Sequence, residues 1–278
     1  MLTDEFDYPL SLVELNPAGR NLVMLLHGFG ASTFSWGPVI HRFAAENHVI
    51  AYDRPGFGFT PLVERKTKPD PYSLAGQVDL LRQIVATKAA GRSVILVGHS
   101  AGGLLATEFV LRHPGVAHLL ILESPAIWRT PPVPASVAAA LRSRRLEKYA
   151  KTWLASFDKA GMKILRDSYF DKSKLTDRVI EGYKAPMKSA DWPLNLWRFM
   201  TADQTNAVRS NLWRMDLPVF VVSGDSDRIV KVEDTFKVAE RIPGHSIYLV
   251  PNCGHIAHEE QPEDYWRVVS DFILKNQK

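Results

Sequence analysis

The chain contains 278 residues, of which 46% are hydrophobic and 23% are charged, and it carries a net charge of +4. This composition is typical of a globular protein, and the length is sufficient for a large buried core. A single cysteine, Cys253, excludes an internal disulfide framework and favours a reducing compartment. The sequence contains no nucleic-acid-binding signature, so we predict no nucleic-acid partner.

The N-terminal sequence MLTDEFDYPLSL lacks the basic region and the following apolar region of a secretory signal. No stretch contains the roughly 18 uncharged apolar residues that a membrane-spanning helix requires. We therefore expect a cytoplasmic protein without a membrane span. Nothing in the sequence indicates the oligomeric state.

Apolar runs alternate with helical patterns through the first 125 residues. The predicted elements are strands at 22–26 and 49–52, a helix at 72–88 with Ser73 as its N-cap, a strand at 94–97, a helix at 104–111 and a strand at 119–122. The pattern resumes with a strand at 219–222, a helix at 235–241, a strand at 247–250 and a helix at 262–274. Continuous apolar runs are typical of strands buried on both faces. Their alternation with helices predicts an α/β fold with a doubly wound, mainly parallel sheet.

Residues 126–205 interrupt this alternation. They include the stretch TPPVP and are then helical in pattern, basic and rich in tryptophan. We predict that they form a helical cap inserted over one edge of the sheet. The core domain is then predicted to consist of residues 1–125 and 206–278.

The stretch ILVGHSAGG ends the strand predicted at 94–97 and leads into the next helix. It contains Gly-x-Ser-x-Gly, a pattern that forms a sharp strand-to-helix turn and raises the serine above the edge of the sheet. The flanking glycines allow the strand and the helix to approach closely. This context predicts that Ser100 is a nucleophile.

A serine hydroxyl becomes an effective nucleophile only when a base accepts its proton and a third group orients that base. His255 follows the last predicted strand, at the same edge of the sheet as Ser100. We favour His255 as the general base. His258, three residues further on, is the alternative.

The orienting carboxylate should lie at that same edge. The stretch VVSGDSDRIV leaves a predicted strand and offers Asp225 and Asp227. We favour Asp227, which lies further into the loop, while Asp225 is suited to bracing the turn. Glu123, at the end of an earlier strand, is a third candidate. The order Ser…Asp…His is the chain order expected for a hydrolase with this strand-to-helix turn.

The negative charge that develops on a carbonyl oxygen during acyl transfer needs fixed N–H donors. One predicted donor is the backbone of Ala101, directly after the nucleophile. The other is the backbone of Phe29, in the glycine-rich HGFG loop that follows the first predicted strand. The candidates for contact with substrate are Gly28, Phe34, His99 and Trp128.

Five stretches of the chain, in order LLHGFGAS, YDRPGFG, VGHSAGG, SGDSDRIV and CGHIAHEEQPE, resemble the successive motifs of the α/β-hydrolase fold family. Together they span residues 22–263. The resemblance is to members with a single core domain and a helical cap. It implies that Ser100, Asp227 and His255 occupy the triad positions, and that Phe29 and Ala101 occupy the oxyanion positions.

These residues and this resemblance predict a serine hydrolase that cleaves small apolar carboxylic esters through an acyl-enzyme intermediate, without a metal or an organic cofactor. One alternative is a carbon–carbon bond hydrolase of ring-cleavage products. Such enzymes usually carry Asn before the serine and Trp after the histidine, where this chain has His99 and Ile256. Cofactor-free perhydrolases and small-molecule receptors of the same fold are further alternatives.

Overall fold

The structure is a computed structural model and describes residues 1–65, 68–128, 133, 135–154 and 157–276. Within these residues the chain forms one eight-stranded sheet. The strands are β1 (Leu2–Thr3), β2 (Leu10–Leu15), β3 (Leu22–Leu26), β4 (His48–Tyr52), β5 (Val94–His99), β6 (Leu119–Glu123), β7 (Val219–Gly224) and β8 (Ser246–Val250). Their spatial order is β1-β2-β4-β3-β5-β6-β7-β8.

Only the first two strands run against their neighbours. β2 is antiparallel to both β1 and β4, whereas β3 to β8 form an uninterrupted parallel set. The prediction of a mainly parallel sheet is therefore confirmed. Because parallel strands share one direction, the carboxyl ends of β3 to β8 and the loops that follow them lie along one edge.

Helices connect the parallel strands. The α-helices are α1 (Gly37–Ala44), α2 (Leu74–Lys88), α3 (Ala101–Arg112), α4 (Ala135–Leu141), α5 (Arg144–Glu147), α6 (Ala150–Trp153), α7 (Phe157–Ser168), α8 (Asp177–Lys184), α9 (Trp192–Thr201), α10 (Val208–Asn211), α11 (Val232–Ala239), α12 (Ala257–Glu260) and α13 (Pro262–Lys275). Short 3-10 helices lie at Thr33–Trp36, Ala126–Trp128, Lys172–Lys174, Ala185–Lys188 and Leu212–Arg214. The predicted N-cap of α2 is present, because Ser73 Oγ accepts the N–H of Gly76 at 3.0 Å.

Two hydrophobic cores lie on opposite faces of the sheet. In β3, Leu22, Met24 and Leu26 pack with α2 and α3, whereas Val23 and Leu25 pack with α1 and α13. Successive side chains of a strand point to opposite faces, and helices cover both faces of β3. Every residue of β3 is therefore buried. This double burial is why the strand has a continuous apolar sequence. Each such side chain contributes about 1.5–3 kcal/mol to the free energy of unfolding.

The chain between β6 and β7 contains α4 to α10. We call residues 126–205, which include α4 to α9, the helical segment. The TPPVP stretch lies outside the described residues except for residue 133. Leu196 and Phe199 of α9 pack with Phe57 from the loop after β4. Leu165 and Tyr169 pack with Ile256 from the loop after β8. The division of the chain into a core and a cap stays a prediction.

The sequence patterns did not predict β1, β2, α1 or α12. β2 has the sequence LSLVEL, which mixes polar and apolar residues, and it pairs on its outer side only with the two-residue β1. α12 is a single turn of AHEE whose charged residues are largely buried. Among the described residues, no helix has both the length and the apolar character needed to cross a bilayer.

Candidate active site

Ser100 occupies a strained turn between β5 and α3. Its backbone has φ 53° and ψ −115°, a combination that residues other than glycine rarely adopt. Such a conformation costs on the order of 1–3 kcal/mol and persists only where the surrounding structure enforces it. The Ser100 N–H donates to Glu123 O at 2.8 Å, and Ser100 O accepts the Ala126 N–H at 3.0 Å, so the end of β6 holds the turn.

Glycines on both sides of the turn permit close backbone packing. A Cβ atom at Gly102 would lie 2.0 Å from Leu26 O, and one at Gly98 would lie 2.6 Å from Gly102 O. No side chain fits at either position without displacing the backbone. The glycines therefore let α3 begin directly against β3 and β5, which fixes where Ser100 lies at the edge of the sheet.

His255 and Asp227 form a buried hydrogen-bonded pair. His255 Nδ1 lies 2.7 Å from Asp227 Oδ2. The other carboxylate oxygen accepts the N–H groups of Ile229 at 2.7 Å and Val230 at 2.9 Å. Because the carboxylate is held by its own loop, it can orient the imidazole and keep the proton on Nδ1. This arrangement leaves Nε2 as the acceptor nitrogen of the neutral ring.

The backbone of His255 is held from two sides. Its N–H donates to Ser168 O at 2.7 Å, at the end of α7. Its carbonyl oxygen lies 3.1 Å from His99 Nε2, and because a carbonyl only accepts, the imidazole N–H donates. Burial lowers the pKa of His99 well below its usual value, so the His99 ring is neutral. His255 is thus braced by the helical segment and by the residue before Ser100.

The alternative triad candidates have other partners. His258 Nδ1 lies 2.8 Å from each carboxylate oxygen of Glu123, and its ring stacks on Trp36 at 4.3 Å. Burial opposes ionisation of His258, but the charge of Glu123 outweighs it and raises the pKa of the imidazole. Asp225 accepts the N–H of Asn252 at 3.1 Å, at the turn after β8. Neither His258 nor Asp225 is bonded to the His255–Asp227 pair.

The HGFG loop passes close to Ser100. A Cβ atom at Gly28 would lie 3.2 Å from Ser100 Cβ. His27 braces this loop, because its Nε2 accepts the Arg54 N–H at 3.1 Å and its Nδ1 lies 2.8 Å from Gly28 O. Burial lowers the pKa of His27 well below its usual value, which is consistent with a neutral ring that both donates and accepts. The arrangement fixes the loop that contains Phe29.

Ser100 and His255 line the same cavity, which has a volume of about 720 Å³. Phe29 and Ala101 also belong to its wall. Ala101 is the first residue of α3, so its N–H has no acceptor within that helix. The helical segment contributes apolar side chains to the opposite wall: Phe157, Met162, Ile164, Leu165, Met187, Trp192, Leu196, Phe199 and Met200. The cavity is thus a mainly apolar space with a serine, a histidine and backbone N–H groups at its wall.

The cavity wall also carries polar groups that sequence reasoning did not single out. Arg54 donates from Nη1 to Gln77 Oε1 at 2.9 Å, and its guanidinium lies 5.2 Å from the centre of the Phe57 ring. Burial lowers the pKa of Arg54 to about 10, a value at which it stays charged at neutral pH. Arg54 is the second residue after β4 and contacts Gln77 of α2, a pairing that no local sequence pattern could reveal.

The sequence model of the alpha/beta hydrolase family matches residues 23–268. The chain belongs to this family. The match begins at the second residue of β3 and includes β4 to β8. It also includes the Ser100 turn and the loops of Asp227 and His255. The predicted family is therefore confirmed, and the protein is an alpha/beta hydrolase.

Two curated relatives resemble this hydrolase along most of its length. Monoacylglycerol lipase abhd6-A from Xenopus laevis is 25% identical over 264 residues, which are 92% of this chain and 76% of the relative. The 2-hydroxy-6-oxononadienedioate/2-hydroxy-6-oxononatrienedioate hydrolase of Comamonas testosteroni is 26% identical over 277 residues, which are 94% of this chain and 91% of the relative. The two relatives carry the names of different reactions.

A solved structure supports the fold of this hydrolase. A thermophilic esterase from Thermogutta terrifontis superposes with a TM-score of 0.78 and 21% sequence identity, covering 99% of this chain and 97% of the esterase. The predicted α/β-hydrolase fold is confirmed by this similarity together with the family match.

The four predicted substrate contacts of this hydrolase lie in different places. His99 lines the cavity, whereas Gly28, Phe34 and Trp128 are absent from the part of its wall that the described residues form. The Phe34 ring packs edge-on against Tyr183 at 6.0 Å. Trp128 packs beside the first core, with the Arg241 guanidinium 4.9 Å from its ring centre. Phe34 and Trp128 are half-buried and pack against distant parts of the chain, outside the cavity wall, so their contact with substrate stays a prediction.

Proposed function

We propose that this hydrolase cleaves carboxylic esters through an acyl-enzyme intermediate formed on Ser100. The proposal is carried by one observation: a serine in a strained strand-to-helix turn and a histidine bonded to a buried aspartate line the same apolar cavity. His255 and Asp227 are linked by a hydrogen bond of 2.7 Å, and Ser100 and His255 lie on the same cavity wall. This combination matches the residue types that acyl transfer requires.

In the first half of the reaction, His255 Nε2 accepts the proton of Ser100 Oγ as that oxygen attacks the ester carbonyl carbon. Asp227 stabilises the imidazolium that forms, without accepting its proton. The tetrahedral intermediate then collapses, the bond to the alcohol oxygen breaks, and His255 returns the proton to that oxygen. The acid part of the substrate is left bound to Ser100 as an ester.

The second half repeats these steps with water in place of the serine. His255 takes a proton from water, the resulting hydroxide attacks the acyl-enzyme, and the proton is returned to Ser100 Oγ as the acid leaves. The N–H groups of Phe29 and Ala101 stabilise the oxygen anion in both halves. Each donor of this kind contributes roughly 2.7–4 kcal/mol to transition-state stabilisation.

The cavity favours an apolar acyl group. A volume of about 720 Å³ lies within the range of sites that enclose small organic ligands. In this proposal the helical segment acts as a cap over Ser100, and its apolar side chains solvate the hydrocarbon part of the substrate. The relative from Xenopus laevis is named a monoacylglycerol lipase, which supports an ester with an apolar acyl group.

Carbon–carbon bond hydrolysis is the second candidate, because the relative from Comamonas testosteroni carries the name of such an enzyme. The two positions that usually distinguish this class carry His99 and Ile256 here. His99 is committed to His255 O, and Ile256 packs with Leu165 and Tyr169. The chain therefore lacks the Asn and the Trp that are usual at these two positions. Ester hydrolysis is therefore the favoured reaction.

The decisive experiment compares wild-type protein with Ser100→Ala on aryl esters of graded chain length. We expect kcat/KM to fall on the order of 10⁶-fold, because removing a triad nucleophile leaves only binding and oxyanion stabilisation. Ser270→Ala, on the outer helix α13, is the matched control and should keep full activity. A fluorophosphonate should add one mass increment to wild type, at Ser100, and none to Ser100→Ala.

Further assays of the wild-type protein distinguish ester hydrolysis from the alternative functions. Faster turnover of a vinylogous diketone than of any ester would favour carbon–carbon bond hydrolysis. Peroxide-dependent conversion of carboxylic acids to peracids would indicate a perhydrolase. A single slow turnover with retained product would indicate a receptor. Labelling at another serine would contradict the assignment of Ser100.

A further inference from the structure

The helix that directly follows His255, α12, ends in a buried glutamate. Glu260 is only 1% exposed, although the turn after it and the start of α13 face solvent. A carboxylate is costly to bury unless several donors satisfy its oxygens. The partners of Glu260 therefore indicate why the chain places a charge at this position.

Three backbone N–H groups donate to the Glu260 carboxylate. Oε2 accepts the N–H of Gly254 at 2.7 Å and that of Phe170 at 3.0 Å, while Oε1 accepts the N–H of Asp171 at 2.6 Å. Gly254 precedes His255, whereas Phe170 and Asp171 belong to the helical segment, just after α7. One side chain thus joins the loop of the proposed general base to the proposed cap.

Further contacts join the loop of His255 and α12 to the helical segment. The His255 N–H donates to Ser168 O at 2.7 Å, and a Cβ atom at Gly254 would lie 2.2 Å from that oxygen. Lys174 Nζ donates to Glu260 O at 2.7 Å and to Gln261 Oε1 at 3.1 Å. We call residues 168–171 together with 254–255 the histidine seam. In the seam, Gly254 packs so closely against Ser168 of the helical segment that no side chain fits at position 254.

We propose that Glu260 is a positioning residue for His255. Its carboxylate fixes the seam and so sets where the His255 imidazole lies relative to Ser100. The inference rests on the proposed role of His255 as general base. Glu260 itself touches no reacting atom in this account, and its influence reaches the chemistry through the Gly254–His255 backbone.

The chemistry of the site explains why a glutamate is needed. Hydrogen bonds from N–H groups to a carboxylate are about twice as strong as neutral ones. A glutamine has the same shape but only one acceptor oxygen, so its NH₂ group would face a backbone N–H. Glutamine at position 260 would therefore leave at least one of the three donors unsatisfied. The seam would loosen while α12 keeps its side-chain volume.

Kinetics of Glu260→Gln test the proposal. We expect kcat to fall roughly 10- to 100-fold with KM changed less than about twofold, because a misplacement of about 1 Å at a reacting group costs on the order of 10²-fold. The acid limb of the kcat/KM profile should also move, because the environment of the His255 imidazole changes. Glu260→Asp keeps the charge and should recover part of kcat. Glu263→Gln is the matched control, because Glu263 is exposed and pairs with Arg42 at 2.7 Å.

Amide hydrogen exchange gives a readout that does not depend on turnover. In Glu260→Gln, peptides covering 168–171 and 253–256 should both exchange faster, while those covering β5 and β6 should not change. Unchanged kcat, or a loss of kcat that matches only the loss of folded protein with an unaltered pH profile, would overturn the inference. If wild type cleaves no ester, the proposed function fails, and the exchange of the two peptides still decides whether Glu260 holds the His255 backbone.

Discussion

Two histidine–carboxylate pairs lie side by side in this hydrolase. His255 is bonded to Asp227 and His258 is bonded to Glu123, in both cases through Nδ1 and at 2.7 and 2.8 Å respectively. The two histidines are separated by only two residues in the chain. By residue type and bond length alone, either pair could serve as the general base and the orienting carboxylate of a triad.

The surroundings of the second imidazole nitrogen distinguish the two pairs. His255 lines the cavity, whereas His258 is 0% exposed and stacks on Trp36. Among the described residues, His258 Nε2 has no hydrogen-bond partner, and Glu259 Oε1 lies 3.8 Å away. Access to the cavity therefore determines which of the two histidines can exchange a proton with a substrate. The His258–Glu123 pair instead joins α12 to the end of β6.

The largest effect is expected from substituting the aspartate of the His255–Asp227 pair. Asp227→Asn should lower kcat about 10⁴-fold, because an amide holds the imidazole in the wrong tautomer and cannot stabilise its charged form. Asp225→Asn should lower kcat less than about tenfold, since Asp225 braces the neighbouring turn. Steady-state hydrolysis of an aryl ester measures both. Equal losses in the two variants would remove Asp227 from the proposed triad.

The second pair should matter more for stability than for the reaction. Glu123→Gln should lower the free energy of unfolding by about 3–5 kcal/mol, because it leaves one member of a buried ion pair unpaired. The kcat of the folded fraction should stay within about tenfold of wild type. Urea denaturation, with activity measured at low temperature, separates the two quantities. A stable Glu123→Gln variant with a kcat as low as that of Asp227→Asn would reverse the roles of the pairs.

Glu259 predicts a smaller, pH-dependent effect on stability. Burial raises the pKa of Glu259 from 4.5 to about 6, although His258 and the hydroxyls of Tyr183 and Tyr169 act to lower it. The folded protein therefore holds this proton more tightly than the unfolded chain does. The resulting stabilisation is fully present below about pH 4.5 and is lost as the pH rises through about 6.

Chemical denaturation of wild type and Glu259→Gln between pH 4.5 and 7 measures this contribution. The free energy of unfolding of wild type, relative to the variant, should fall by about 2 kcal/mol across that range, because one pKa unit corresponds to about 1.4 kcal/mol. A difference that grows with pH would show that the pKa of Glu259 is not raised.

Local sequence patterns predicted most of the fold because strands β3 to β7 are buried on both faces and glycine-rich turns follow β3, β4 and β5. The Ser100 turn and the Ser73 cap were predictable for the same reason, since each depends on residues within a few positions. The structure also pairs His255 with Asp227, the two residues that the sequence favoured, while their catalytic roles stay a prediction. The locations of Phe34 and Trp128 were not predictable, because they depend on contacts with residues more than 80 positions away.

The histidine seam has a consequence for engineering. Substrate range in a hydrolase of this shape could be altered by grafting the helical segment of a relative onto the core, because that segment supplies the apolar wall of the cavity. A graft that included residues 168–171 would also replace the stretch whose backbone groups bond to His255 and Glu260. The exchange should therefore end before Ser168 and leave this last residue of α7 and the three residues after it, to Asp171, in their native register.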